Sequence, residues 1–170
     1  MSASEEVFVI DGNTVTVRAP EGKKGALPVV YLNVFQGDGA EVWERLGELG
    51  CAPLALVAVG DIAWERDMTP WPAEPATRNE PPYEGGATSY LQKLVGKIVP
   101  AAEGRLAGAG VDVTWRGIAG YSLAGLFSLW SCWQTDAFAR AASASGSLWY
   151  EGWLDYAAGR EPARVPERAY

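Results

Sequence analysis

The chain has 170 residues, of which 48% are hydrophobic, 11% aromatic and 21% charged, the balance of one globular domain able to build a core rather than of a disordered or fibrous segment. Fourteen Lys and Arg against 21 Asp and Glu give a formal charge of −7, which repels a phosphate backbone and argues against nucleic acid as a partner. The histidine count is zero, so the commonest general base, the usual zinc ligand and the physiological pH switch are all missing.

Met1 to Glu6 is polar and acidic, without a basic leader or an apolar run, and no stretch approaches the roughly eighteen apolar residues of a membrane span. The expectation is a cytoplasmic chain that does not engage a membrane. Cys51 and Cys132 lie far apart in apolar surroundings, which reads as two buried, reduced thiols rather than a metal or redox motif.

Val7 to Ile10 and Thr14 to Val17 are β-branched runs around Asp11, Gly12 and Asn13, residues that accept tight turns, and they predict an opening antiparallel hairpin. After a loop over 19–26, the continuous apolar run Pro28 to Leu32 predicts a central parallel strand covered on both faces. Val42, Trp43, Leu46 and Leu49, followed by Gly50, predict a helix with a glycine stop. A second buried strand runs from Leu54 to Val59. The segment from Gly60 to Gly86 is rich in proline, glycine and aromatic residues without any period, and loops this long are often lids or binding loops.

Tyr90, Leu91, Leu94, Val95, Ile98 and Val99 place a helix over 87–106, with a kink or break expected at Pro100. Val111 to Ala119 reads as a third strand, Leu123 to Trp133 as a buried helix, and Ala141 to Ala144 as a fourth buried run. Strand and helix alternate throughout, so the fold class is α/β with a mainly parallel sheet behind the N-terminal hairpin. No repeat or domain boundary is visible, and 1–170 reads as a single domain.

The stretch that carries chemistry is Gly117 to Gly125, reading Gly-Ile-Ala-Gly-Tyr-Ser-Leu-Ala-Gly, at the passage from a buried strand to an apolar helix. A nucleophilic serine on such a strained turn needs small neighbours and stands exposed above the sheet. Gly120 and Ala124 flank Ser122 in that way, although Ala124 departs from the strict second glycine. The plainer alternative is a serine N-cap whose hydroxyl satisfies the first helical amides.

Further short pieces occur in a fixed order: Pro28 to Leu32, the run Arg66-Asp67-Met68-Thr69-Pro70-Trp71-Pro72, Gly85-Gly86-Ala87 followed by Tyr90-Leu91, Gly120 to Leu126, and Ser145-Gly146-Ser147. Together they resemble the Putative esterase family of α/β-hydrolases, which includes siderophore esterases, esterase D, feruloyl esterases and mycolyltransferases. The resemblance implies an α/β-hydrolase fold and hydrolysis or transfer of a carboxylic ester through an acyl-serine intermediate, with a small-molecule ester as substrate and no metal or organic cofactor. Residue by residue, it makes Ser122 the nucleophile and the backbone N–H of Leu123 one oxyanion donor. The second donor falls on Phe35 or Gln36, and Trp64, Trp71, Tyr83 and Tyr121 become pocket walls. Against that, tryptophans such as Trp64 and Trp71 are more often hydrophobic cover over a sheet edge than substrate contacts, and Arg66 with Asp67 reads as a local ion pair or turn.

In this fold an acid and then a histidine follow the serine, yet no histidine exists. Lys23, Lys24, Lys93 and Lys97 precede the serine on segments that read as solvent-facing, and Asp136 or Asp155 cannot complete a relay without an imidazole. Glu167 to Tyr170 resembles the opening of the family's next strand, so the expectation is a C-terminally truncated, weakly active or inactive esterase without the last strands and C-terminal helix. The competing expectation is a non-catalytic binding module on the same scaffold, forming a homo-oligomer through the exposed sheet edge.

Overall fold

A computed structural model describes residues 2–78, 81–163 and 165–170; Met1, Asn79 and Glu80 in the long excursion, and Arg164 in the stretch before the last strand, lie outside the described residues. Strands β1 (Ala3–Ile10) and β2 (Asn13–Pro20) form the expected hairpin, in register from Ala3 opposite Pro20 to Ile10 opposite Asn13. Asp11 and Gly12, with φ of 46° and 85°, make its turn. β2 runs three residues past the apolar run that predicted it. The reason is Arg18, which is buried in mid-strand and pairs with Glu5 at 2.8 Å and Asp38 at 2.6 Å, so a charged residue occupies a core position that pattern alone marks as loop.

β3 (Gly25–Asn33) leads to α1 (Ala40–Glu48), then β4 (Ala55–Val59). The excursion that follows holds a single helical turn, α2 (Trp64–Asp67), and a two-residue ribbon of β5 (Pro72–Ala73) and β6 (Tyr83–Glu84). Next come α3 (Ala87–Lys93), a π-helical turn (Leu94–Ile98) and α4 (Val99–Gly108), which continue one another. Of the kink or break expected at Pro100, the break does not occur; the irregularity takes the form of the π turn, and the helix runs on. The wider π turn immediately before it rearranges the carbonyls that the proline ring would otherwise meet. β7 (Val111–Tyr121), α5 (Leu123–Gln134), β8 (Arg140–Ala144), α6 (Trp153–Ala158) and β9 (Arg168–Ala169) complete the order.

The main sheet has the order β1-β2-β4-β3-β7-β8-β9. β2 meets β4 antiparallel, whereas β4, β3, β7, β8 and β9 run parallel. One face carries the larger core, where Val29, Tyr31, Val57 and Ile118 pack with Tyr90, Leu94, Ile98, Leu106 and Phe127 from the helices. The other face is covered by α1, whose start packs so closely that a Cβ on Gly39 would stand 2.9 Å from the Ala58 methyl. Tyr31 donates to Glu103 at 3.2 Å, and Arg116 donates to the same carboxylate at 2.5 and 2.8 Å, tying α4 to β3 and β7. Burial, with the Glu103 carboxylate beside it, holds the Tyr31 phenol far above its ordinary pKa, so it remains a donor. Cys132 is buried as expected, but Cys51 is exposed, because the turn after α1 carries it out past Gly50.

Candidate active site

The site lies where the parallel strands end, the usual place for ligands in an open α/β sheet. β7 passes into α5 through Ser122, whose φ of 54° and ψ of −123° lie in a region that non-glycine residues rarely occupy and that costs about 1–3 kcal/mol. The surroundings fix it. Ser122 N–H donates to the Ala144 carbonyl at 3.1 Å, and the Ser122 carbonyl accepts from the N–H groups of Gly125, Leu126 and Ser147 at 3.0, 3.1 and 3.0 Å.

The small residues around Ser122 follow from contact distances. A Cβ on Gly120 would sit 2.5 Å from the Ala124 methyl, and one on Gly125 would sit 2.8 Å from the Gly146 Cα. Strand, helix and the loop after β8 thus meet backbone to backbone. Ala124 fits because its methyl stands against the bare Cα of Gly120, where a side chain is absent. The N-cap alternative fails on geometry: Ser122 makes no side-chain capping bond, and its Oγ lies 3.3 Å from Ser147 Oγ instead. Leu123 opens α5, so its N–H is among those without a partner inside the helix and is available beside the Ser122 hydroxyl.

A cavity of about 300 Å³ opens in front of Ser122, lined by Leu123, Phe35, Trp64, Tyr83 and Tyr121 among the expected residues, and also by Glu65, Ala76, Ser147 and Trp149. Phe35 meets Trp64 edge-on at 5.2 Å, Trp64 meets Tyr121 at 5.7 Å, and Tyr83 faces Trp149 at 6.5 Å. Two expected residues lie elsewhere. Gln36 lines a neighbouring hollow with Asp38 and Gly39. Trp71 packs behind the wall against Tyr150 and Tyr156 at 6.0 and 5.2 Å, and its Nε1 donates to the Glu151 carbonyl at 2.8 Å. Arg66 and Asp67 form a neighbour-to-neighbour ion pair at 2.8 Å.

The walls are held from behind. Tyr150 donates to the Trp71 carbonyl at 2.6 Å, and burial pushes its phenol up to about 12. Thr69 receives the Gly85 N–H at 3.0 Å, while a Cβ on Gly85, whose φ is 75°, would fall 2.5 Å from the Pro72 nitrogen. The glycine pair before α3 is thus where the excursion crosses itself. At the end of β3, buried Asn33 accepts from the Tyr90 hydroxyl at 2.6 Å, fixing the start of the loop that carries Phe35. The loop's far end is fixed by Asp38, which accepts from the Ala40 N–H at 3.0 Å and from Arg18.

Sequence reasoning placed Ser122, Leu123 and most of the rings but missed Ser147, Glu65 and Trp149 as lining groups. Ser147 was visible in the Ser-Gly-Ser run after β8. Glu65 and Trp149 carried no local signal, since only the tertiary fold brings α2 and the loop after β8 to one cavity. Among the described residues no lysine lines it; Lys97 pairs with Asp11 at 2.6 Å, and Lys93 lies over the Tyr90 ring at 5.3 Å.

A mainly parallel sheet with an antiparallel N-terminal hairpin and a strained serine at a strand-to-helix turn is the architecture of an α/β-hydrolase. The chain belongs to the Putative esterase family, whose model matches residues 11–166. Among solved structures, enterobactin hydrolase IroE in complex with DFP is similar with 26% identity and a TM-score of 0.73, over 95% of this chain and 72% of that one. Siderophore hydrolase EstB from Aspergillus nidulans is similar with 19% identity and a TM-score of 0.68, over 98% of this chain and 65% of that one. An IroE-like serine hydrolase from Shewanella oneidensis has 18% identity and a TM-score of 0.71, over 91% of this chain and 54% of that one. The chain thus spans less than two thirds of the length of the last two. No curated protein matches the sequence. Among the described residues no helix is long and apolar enough to cross a membrane.

Proposed function

We propose that the chain carries the nucleophile, one oxyanion donor and the substrate pocket of a serine carboxylic-ester hydrolase or acyl transferase acting on a small-molecule ester. The observation that carries this is Ser122, held at φ 54° between β7 and α5 with its hydroxyl facing a cavity rather than capping the helix. In the reaction Ser122 Oγ attacks the ester carbonyl carbon as its proton passes to a base, the Leu123 N–H stabilises the oxyanion, and collapse expels the alcohol to leave an acyl-serine. Of the two expected second donors, Phe35 lines the cavity and Gln36 lines the neighbouring hollow, which favours Phe35. The helix N-terminus under Ser122 favours the developing negative charge.

The chain contains no histidine, and among the described residues no lysine lines the cavity, where the one charged group is the Glu65 carboxylate, a weak base toward a serine hydroxyl without an imidazole between them. An efficient relay therefore requires an imidazole and an acid supplied from outside these 170 residues, and the chain alone turns over slowly or acylates without turnover. The free thiols of Cys51 and Cys132 fit a reducing, cytoplasmic setting.

The experiment is labelling by an alkyl phosphonate, followed by mass spectrometry of the intact protein and its peptides. Slow labelling confined to Ser122, and lost in Ser122→Ala, is the expected result. No labelling over hours, or equal labelling in Ser122→Ala, overturns the reading. The absence of histidine would then favour the second one, a non-catalytic binding module.

A further inference from the structure

The cavity in front of Ser122 combines rings and one charge. Phe35, Trp64, Tyr83, Tyr121 and Trp149 line it, and Glu65 is the one charged side chain among the described residues that do. The nearest cation in sequence does not neutralise that carboxylate, because Arg66 donates to Asp67 through Nε at 2.8 Å and Nη2 at 3.3 Å. Trp64 packs against both Phe35 and Tyr121, and Tyr83 packs against Trp149. The whole chain adds a charge of −7.

Aromatic faces carry negative potential, and a cluster of them beside a carboxylate is the chemistry that holds an ammonium group in place of its water. The same surfaces repel a carboxylate or phosphate and offer no cation to pair with one. The volume of about 300 Å³ is at the small end for a ligand site and suits a compact cation. We propose that this pocket receives the positively charged end of its ester, an alkylammonium borne on the acyl or the alcohol part, with Glu65 as counter-ion and the surrounding rings as walls. The proposal rests on the esterase reading of the same site and gives it a substrate class.

The test measures binding without chemistry, in the Ser122→Ala protein. Choline is titrated against its uncharged isostere 3,3-dimethylbutan-1-ol by calorimetry, with tryptophan fluorescence as a second reading. Choline is expected to bind about tenfold more tightly than the isostere. Glu65→Gln removes most of that preference, Glu65→Asp retains part of it, and Trp149→Ala weakens choline binding. The Glu65 variants alter no hydrogen bond of the wall, since it is the Glu65 backbone carbonyl that accepts from Thr69 at 2.6 Å. Equal affinity for the two probes, no choline binding, or a preference unchanged in Glu65→Gln overturns the proposal, whatever the phosphonate experiment shows. Choline preference together with unlabelled Ser122 instead leaves a cation site and overturns the esterase.

Discussion

Two structures enclose the same cavity, the serine turn and the aromatic wall, and they are built differently. The turn is backbone against backbone: β7, α5 and the loop after β8 approach so closely that a single methyl at Gly120 or Gly125 has no room. The wall is side chain against side chain, drawn from four separate segments, and its outer members Trp149 and Phe35 are 61% and 48% exposed. The first arrangement fixes a hydroxyl to within fractions of an ångström and tolerates almost no change. The second sets the shape and charge of what enters and can be altered one ring at a time.

The sharpest break between them is Gly120→Val, which forces the Ala124 contact apart and is expected to cost about 3 kcal/mol or more, seen as a large fall in the urea midpoint. If that variant unfolds like the parent, the turn is not the tight junction described. Glu103→Ala should come next, at about 2 kcal/mol, because it leaves the buried Tyr31 hydroxyl without an acceptor and frees Arg116, on the strand that delivers Ser122, from its tie to α4. Retention of the parent midpoint would show that the tie contributes little.

Ser122→Gly tests the strain itself. It should raise stability by about 1 kcal/mol over Ser122→Ala, since glycine accepts the positive φ that alanine does not; equal midpoints would mean an unstrained turn. On the wall, Trp149→Ala should shift stability by less than about 0.5 kcal/mol while slowing phosphonate labelling. A large loss of stability there would make the ring structural.

Acid gives the smallest effect, at the loop bearing Phe35. The Ala40 N–H and then Arg18 hold the Asp38 carboxyl below its ordinary range. The contribution is therefore present above the unfolded carboxylate pKa and is lost as pH falls through the lower folded value. Asp38→Asn should flatten the dependence of the urea midpoint between pH 6 and pH 3 relative to the parent, and parallel profiles would exclude Asp38 as its source.

The same contrast explains what was legible in the sequence. The turn could be read because close backbone approach demands glycine and alanine at fixed offsets from Ser122, a constraint written within nine residues. The parallel strands could be read because burial leaves continuous apolar runs such as Ala55–Val59. The wall could be read only as a list of aromatic residues: Trp71 has the same local signature as Trp64 but packs behind the cavity. Glu65 is one acidic residue among 21 Asp and Glu until the fold turns it toward the rings. The extension of β2 was hidden for a related reason, as Arg18 is buried by partners that lie distant in sequence.

The π turn before Pro100 bears on how chains of this fold can differ in length. Leu94, Ile98, Ala102 and Leu106 are all buried, a spacing of four that an α-helix of 3.6 residues per turn would wind away from the core, and the wider turn takes up much of the drift. The helix therefore holds one residue more than its buried face needs. Deleting exposed Gly96 would leave the same apolar residues at spacings of three, four and four, which an uninterrupted α-helix satisfies once Pro100 is also replaced. A single codon can enter or leave at this point without moving the sheet, so alignments of related chains should show a one-residue gap here paired with the loss of that proline.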